Sequence, residues 1–176
     1  WSFQNTHNIT NGKIYVTQGD TAWALGGNAA IMRFVGFNSQ LKLDLTMLME
    51  GMYSNFDNEL SLSDDVKVYL RKSTAPYSIV DSATATIDSL TFTGSFTFPN
   101  AQSGQYYIVA KYRNTIETWS NSSGVVFTAG NTMSYDFTSS AAQAFGNNMK
   151  QVNASPIRFG IFSGDQNQNG IVDLSD

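Results

Sequence analysis

"LKLDLTMLM", residues 41–49, decides the fold class of this chain: Leu41, Leu43, Leu45, Met47 and Met49 recur at every second position. Successive strand side chains point to opposite faces, so this period predicts a strand with one apolar face. "DVKVYLRK" (65–72) repeats the pattern, with Val66, Val68 and Leu70 inward and Lys67, Tyr69 and Arg71 outward. "YSIVDSATATI" (77–87), "LTFTGSFTF" (90–98), "QYYIVAKYR" (105–113), "GVVFTAG" (124–130) and "MSYDFT" (133–138) follow, with Gly, Asn and Ser between them. A last strand is expected over 157–162, and only "SSAAQAFGNN" (139–148) reads as a helical turn. Short strands at regular spacing predict an all-β fold, an antiparallel β-sandwich of jelly-roll or immunoglobulin-like type. With no long amphipathic helix, a parallel α/β sheet has nothing to cover it.

Composition bounds the function. A chain of 176 residues can bury one real core. Charged residues make up 14%, against roughly 25% in typical soluble domains, and Ser, Thr, Asn and Gln supply the missing polarity. The net charge is −4 and the ten basic residues are scattered, which argues against binding nucleic-acid phosphates. No apolar run approaches the roughly 18 residues of a membrane helix, so no membrane insertion is expected. The absence of cysteine excludes disulfides and thiol chemistry. The opening "WSFQNTHN" has neither an initiator Met nor a charged-then-apolar leader, and reads as the start of a processed or excised chain. A nearly neutral, Asn/Thr-rich surface points to an extracellular location.

Three regions are expected: an extended segment over 1–38, a β-sandwich over 39–163 and an acidic loop over 164–176. In the first, "KIYVT" and "AIMRFVGF" are β-like and flank the Gly-rich separator "QGDTAWALGGNA", read as flexible. Ile14, Tyr15 and Val16 form a candidate donor strand. Such a strand either completes its own sheet or adds to the edge of another copy, and a head-to-tail contact of that kind builds an open filament.

The loop "GDQNQNGIVDLSD" (164–176) has the spacing of a twelve-residue calcium site. Asp165, Asn167 and Asn169 stand at positions 1, 3 and 5, Gly170 at the turn position, and Ile171 would offer its carbonyl at 7. Val172 reads as an apolar plug, and Asp173 and Asp176 close the set at 9 and 12. The plainer alternative is an Asn-Gly turn with solvated acids. Neutral Asn ligands and an Asp in place of a bidentate Glu predict weak Ca2+ binding, about 10⁻⁴ to 10⁻³ M, suited to a brace in a calcium-rich medium.

With Asp176 at its twelfth position, the loop resembles the half-motif of dockerin-type repeats. A wider likeness covers 41–176, where "LTMLMEGMY", "DDVKVYLRKSTAPYSIVDS", "GQYYIVAKYRNTIETWS", "YDFT", "AFGNN" and "GDQNQNG" follow one order. That order resembles a domain of large secreted proteins from gliding, biopolymer-degrading bacteria. Its hallmark is a YYVVV(R/K)HRNH strand, then a DFT strand, a YGNN turn and a calcium loop. Tyr112 and Thr115 replace its two histidines here, so any metal role for them is absent. The resemblance implies a secreted accessory or structural β domain without assigned catalysis.

Catalytic chemistry finds little footing. His7 is the sole histidine, and neither G-x-S-x-G nor H-E-x-x-H occurs. Glu50, Asp57, Glu59 and Glu117 are the acids that could converge as a glycosidase pair, but Glu50 and Glu117 end or follow strands, where solvated loop acids are the default, so no enzyme is expected. Glycan binding needs exposed rings, and Trp119 with Tyr112, Tyr106 and Tyr53 is the candidate platform; alternatively Trp119 packs under the sandwich end. Arg113 is expected to pair with Glu117 or Asp136. Asn8, Asn121 and Asn153 open N-glycan sequons, and Thr21, Ser82 and Ser89 sit in D-[ST]-apolar motifs resembling bacterial O-glycan sites. The expected function is a non-catalytic subunit of an extracellular filament or surface assembly joined by strand complementation. The alternative is a carbohydrate-binding accessory module of a larger secreted protein.

Overall fold

The computed structural model describes residues 40–176 in full and residues 13–16, 21–25 and 31–35 as backbone strands. The chain divides into two compact units, Trp1–Ser39 and Gln40–Asp176. The calcium-type loop belongs to the second unit.

The first unit is a three-stranded antiparallel meander of β1 (Lys13–Val16), β2 (Thr21–Leu25) and β3 (Ile31–Val35), in that order. Tyr15 lies opposite Trp23, and Trp23 opposite Arg33. The separator expected to be flexible therefore carries the middle strand. Thr21 and Trp23 suit extended backbone, and the Gly-bearing segments on either side have hairpin length.

The second unit is all β apart from three short 3₁₀ turns, Glu50–Met52, Ala141–Gln143 and Phe145–Asn147. Its smaller sheet is built on β4 (Leu41–Thr46). A two-stranded hairpin of β5 (Tyr53–Ser54) and β6 (Glu59–Leu60) follows. The larger sheet begins with β7 (Asp64–Lys72) and β8 (Ile79–Ile87), before β9 (Thr93–Phe98) crosses back beside β4. β10 (Gly104–Lys111) pairs with β7 on one side. Its other partners are the short β11 (Thr118–Trp119) and β12 (Val125–Phe127). β13 (Thr132–Asp136) completes the smaller sheet, in the order β13-β4-β9. A separate hairpin, β14 (Lys150–Ala154) with β15 (Ile157–Gly160), precedes the loop.

The expected antiparallel sandwich is thus the architecture, with one departure: β13 runs parallel to β4. Leu41, Leu43 and Leu45 are fully buried, as the two-residue period requires. After Thr46 the strand ends and alternation lapses, so Met47, Leu48 and Met49 are all buried. These residues share one core with Val66, Val68 and Leu70 of β7, Phe96 and Phe98 of β9, and Ile108 and Ala110 of β10. β8 and β9 approach closely at Gly94, where a Cβ would stand 2.8 Å from the Thr86 carbonyl and from Ile87 Cδ1.

β10 departs from simple alternation, since Tyr107, Ile108, Val109 and Ala110 are all buried. Ile108 and Ala110 face the core between the sheets, whereas Tyr107 and Val109 fall on the other face. Covering that outer face needs further side chains, and these form the site described below.

Phe96 is 1% exposed in the middle of the core. Phe96→Ala is expected to lower unfolding free energy by about 3–5 kcal/mol through lost burial and a residual cavity. Urea denaturation of both proteins checks this, and a loss below about 1 kcal/mol would contradict the packing.

Candidate functional site

The outer face of the larger sheet carries an aromatic hollow of about 370 Å³ lined by Tyr77, Tyr107, Glu117, Trp119, Phe145 and Asn148. Strand register builds its floor. Arg71, outward on β7, stands opposite Tyr107 of β10, and Trp119 of β11 stands opposite Val109. The Tyr107 and Trp119 ring centres are 5.5 Å apart, and Tyr77 meets the two rings edge-on at 6.1 and 6.2 Å. Phe145 completes the set, 6.3 Å from Tyr107. Trp119 is fixed twice: the Arg71 guanidinium lies 5.2 Å from its ring centre, and its indole N–H donates to Glu117 Oε1 at 2.8 Å. Arg71 is held in turn by donating to the Tyr77 carbonyl at 3.3 Å.

Of the rings expected to form a glycan platform, Trp119 alone lines this hollow. Trp119 is half-buried within the hollow. Tyr112 is only 3% exposed and has no face to offer a ligand, which corrects its placement on that platform. Tyr53 lies elsewhere, its ring against Phe92 and its hydroxyl between Asn58 and Asn153. Tyr106 packs on Phe127 and donates to the Gln102 carbonyl. Sequence reasoning missed Tyr77, Tyr107, Phe145 and Asn148. Arg71 was legible as an outward residue, but its partner depends on a register that the sequence does not give.

The loop over 164–176 closes on its own side chains. Asp165 Oδ1 and Asn167 Oδ1 both accept from the Asn169 N–H at 3.0 Å, and Asp165 Oδ2 accepts from Gly170 N–H at 2.9 Å. Asn169 Oδ1 accepts from Ile171 N–H, while Asp176 accepts from the amides of Asn167 and Asp173. Gly170 has φ +86°, a conformation that favours glycine. Asp173 turns to Ser175, whose hydroxyl and then amide donate to it and hold its carboxyl below the usual range. Val172 leans on Gly164 but is 49% exposed, so the plug expected at position 8 is corrected: the side chain does not enter the core.

Sequence reasoning also missed how the loop is attached. Gln168 sends its side-chain amide to the carbonyls of Tyr112, Thr115 and Asp165, at 3.1, 3.3 and 3.0 Å. Gly164 N–H donates to the Asn114 carbonyl at 2.7 Å, and Ile116 N–H to that of Phe162 at 3.0 Å. The loop is thus tied to the segment leaving β10.

The donor chemistry suits a hard cation. Asp165 is 1% exposed and has no ion-pair partner among the described residues. A buried carboxylate calls for a compensating positive charge, and two amide donors leave lone pairs of its two oxygens unused. Asn occupies positions 3 and 5, so any further ligands there are amide and peptide oxygens. No three acids, histidines or cysteines gather among the described residues, so the expected acids Asp165, Asp173 and Asp176 do not converge as one set here. A second hollow of about 210 Å³ borders this loop, lined by Lys111, Glu117, Asp165, Gln168, Asn169 and Gly170.

Family models, curated proteins and solved structures were each compared with the chain. It matches none of them.

The remaining candidate residues scatter. Arg113 pairs with neither Glu117 nor Asp136 but with Asp64, at 2.7 Å, while remaining 68% exposed. Tyr112 donates its hydroxyl to the same carboxylate at 2.6 Å. Glu50 accepts from Ser163 N–H, and Asp57 accepts from Ser54 in the hairpin tip. Asn153 donates its side-chain amide to Tyr53, whereas Asn121 accepts from Ser123 N–H and lies half-buried. Ser82 and Ser89 are half-buried beside Asp81 and Asp88. His7, Asn8 and the Thr21 side chain lie outside the described residues.

Burial, with the hydrogen bond to Asp64 second, pushes the Tyr112 phenol from 10.0 up to about 12. Between those values the unfolded chain has released a proton that the folded chain keeps, so stability falls as pH rises. Thermal melts of the parent should decline across that window, and Tyr112→Phe should flatten part of the decline. The same variant removes the hydrogen bond that contributes most to lowering Asp64, and should cost about 1–3 kcal/mol near neutral pH. An unchanged alkaline slope would refute the assignment.

Proposed function

We propose that the chain is a non-catalytic structural subunit of an extracellular filament or surface assembly, joined by β-strand complementation and braced by Ca2+. The observation that carries this reading is the separate N-terminal unit. Its described strands form a single three-stranded layer without cysteine, and one sheet layer needs a second to bury an apolar face. It must bury its apolar residues against another sheet. β1 and β3 each pair on one side only, and so do β9 and β13 of the second unit among the described residues. Such edges are templates for strand addition. Ile14, Tyr15 and Val16 lie in a strand that pairs only with β2 among the described residues, and its other side is where a second copy would add.

The buried Asp165 carboxylate, with the side-chain oxygens of Asn167, Asn169 and Asp176 that accept from loop amides, supports calcium as the brace, with the Ile171 carbonyl as a further ligand. In this reading the ion tightens a loop already stapled through Gln168 to the end of β10. An extracellular, calcium-rich setting agrees with weak neutral ligands and with the likeness to secreted bacterial β domains. The half-buried Asn121, Asn153, Ser82 and Ser89 remain the described candidates for attached sugar.

A second reading, an accessory module that binds carbohydrate, is favoured by one observation: the aromatic hollow around Trp119. Both readings are compatible in one protein, since a surface assembly can present such a hollow many times over.

Truncation tests assembly. Full-length protein is expected to form filaments or sheets in negative stain, whereas Gln40–Asp176 should melt cooperatively and stay monomeric. If the truncated chain assembles as the parent does, strand donation is wrong. Calcium is tested by melting with and without chelator. At a calcium concentration about 100-fold above the dissociation constant, the folded state should gain about 2.7 kcal/mol, and Asp165→Asn should lose most of that gain. A melting midpoint indifferent to EGTA would end the brace.

A further inference from the structure

We propose that the aromatic hollow is a subsite for one neutral pyranose unit, or at most two, and that the calcium-type loop sets its affinity through Glu117. The inference rests on the carbohydrate reading above and gives it a ligand class and a control.

The hollow, about 370 Å³, lies at the small end of the roughly 300–1,000 Å³ typical of small-molecule pockets. That suits one or two sugar rings better than an extended chain lying along a groove. Trp119 is set before any ligand arrives. Arg71 lies over its ring, and its indole N–H is held by Glu117. The ring therefore loses little freedom on binding, and its uncovered surface is available for stacking. Tyr77 and Phe145, 43% and 53% exposed, add apolar walls that a solvent-borne ring can reach. The Asn148 amide and the remaining Glu117 carboxylate oxygen offer donors and acceptors for hydroxyl groups.

Four aromatic rings with a carboxylate also suggest a quaternary ammonium ligand. Arg71 decides against it. Its guanidinium, 5.2 Å from the Trp119 ring centre, already uses the attraction of that ring for a cation and repels a second one. A neutral sugar meets no such penalty.

Glu117 is a wall of both hollows, the aromatic one and the one bordered by Asp165 and Asn169. The residues before it are laddered to the strand that enters the loop: Thr115 bridges Ser163, and Ile116 N–H donates to Phe162. An ion that orders the loop thereby orders the backbone carrying Glu117, and with it the hydrogen bond that orients Trp119. By linkage, sugar and calcium must then favour each other equally.

The test uses the full chain with Trp1→Phe and Trp23→Phe, so that emission reports Trp119. Cellobiose, xylobiose, mannobiose and N,N′-diacetylchitobiose are titrated in calcium and again after EGTA, with choline as a further probe. At least one saccharide should shift emission saturably. Tyr77→Ala should weaken that binding about tenfold or more, and chelation should weaken it about fivefold or more. Asp165→Asn in calcium should bind as weakly as the chelated parent, with no further loss on chelation. Saccharide binding that depends on Tyr77 but ignores EGTA overturns the coupling and leaves the carbohydrate reading intact. Saturable choline binding without any saccharide overturns the ligand class. No response to any probe, in protein whose melting midpoint still rises with calcium, overturns the carbohydrate reading itself.

Discussion

Burial of β10 on both faces is the constraint from which the rest of the second unit follows. A strand in a two-layer sandwich ordinarily keeps one face wet. Here Ile108 and Ala110 enter the common core, while Tyr107 and Val109 on the opposite face also lie away from solvent. That second burial recruits a covering layer outside the sheet: Trp119 of β11, Tyr77 from the connection before β8, and Phe145 from a 3₁₀ turn. The layer is incomplete, and the hollow is what it leaves. The far end of the same strand runs into Tyr112 and Thr115, whose carbonyls hold Gln168 and hence the acidic loop. One doubly covered strand thus positions both candidate sites.

The fold class was legible because β4 and β7 obey a strict two-residue period, and one register places every apolar side chain on the same side. The turn of the loop was legible for a different reason: it is a local property, closed by Asp165 accepting from the Asn169 and Gly170 amides. What escaped was non-local. The parallel pairing of β13 with β4 leaves no trace in either strand's own pattern. Nor could "TAWAL" be separated from its glycines, since five residues carry too little periodicity to outweigh a flexible-looking frame.

Tyr112 shows how position outranks residue type. An aromatic beside Arg113 at a strand end reads equally well as a binding ring or as a core residue. The outcome turns on Asp64, distant in sequence, whose carboxylate receives both the phenol and the guanidinium. A hydroxyl with a carboxylate partner can be buried at little cost, and so the ring is withdrawn from solvent. Trp119 met the opposite fate because its partner, Glu117, is only two residues away and itself borders open space.

The parallel ladder between β4 and β13 has a kinetic side. The strand that opens the second unit finds one neighbour in β9, but its other neighbour, β13, comes much later in the chain. Closing that pair requires nearly all the intervening chain to be present, which raises contact order and slows collapse to the native topology. A polypeptide emerging in order from a ribosome or a translocation pore therefore holds β4 half-paired until β13 appears. The arrangement delays completion of the smaller sheet until β13 has been delivered, and so keeps the chain threadable for longer than a set of sequential hairpins would.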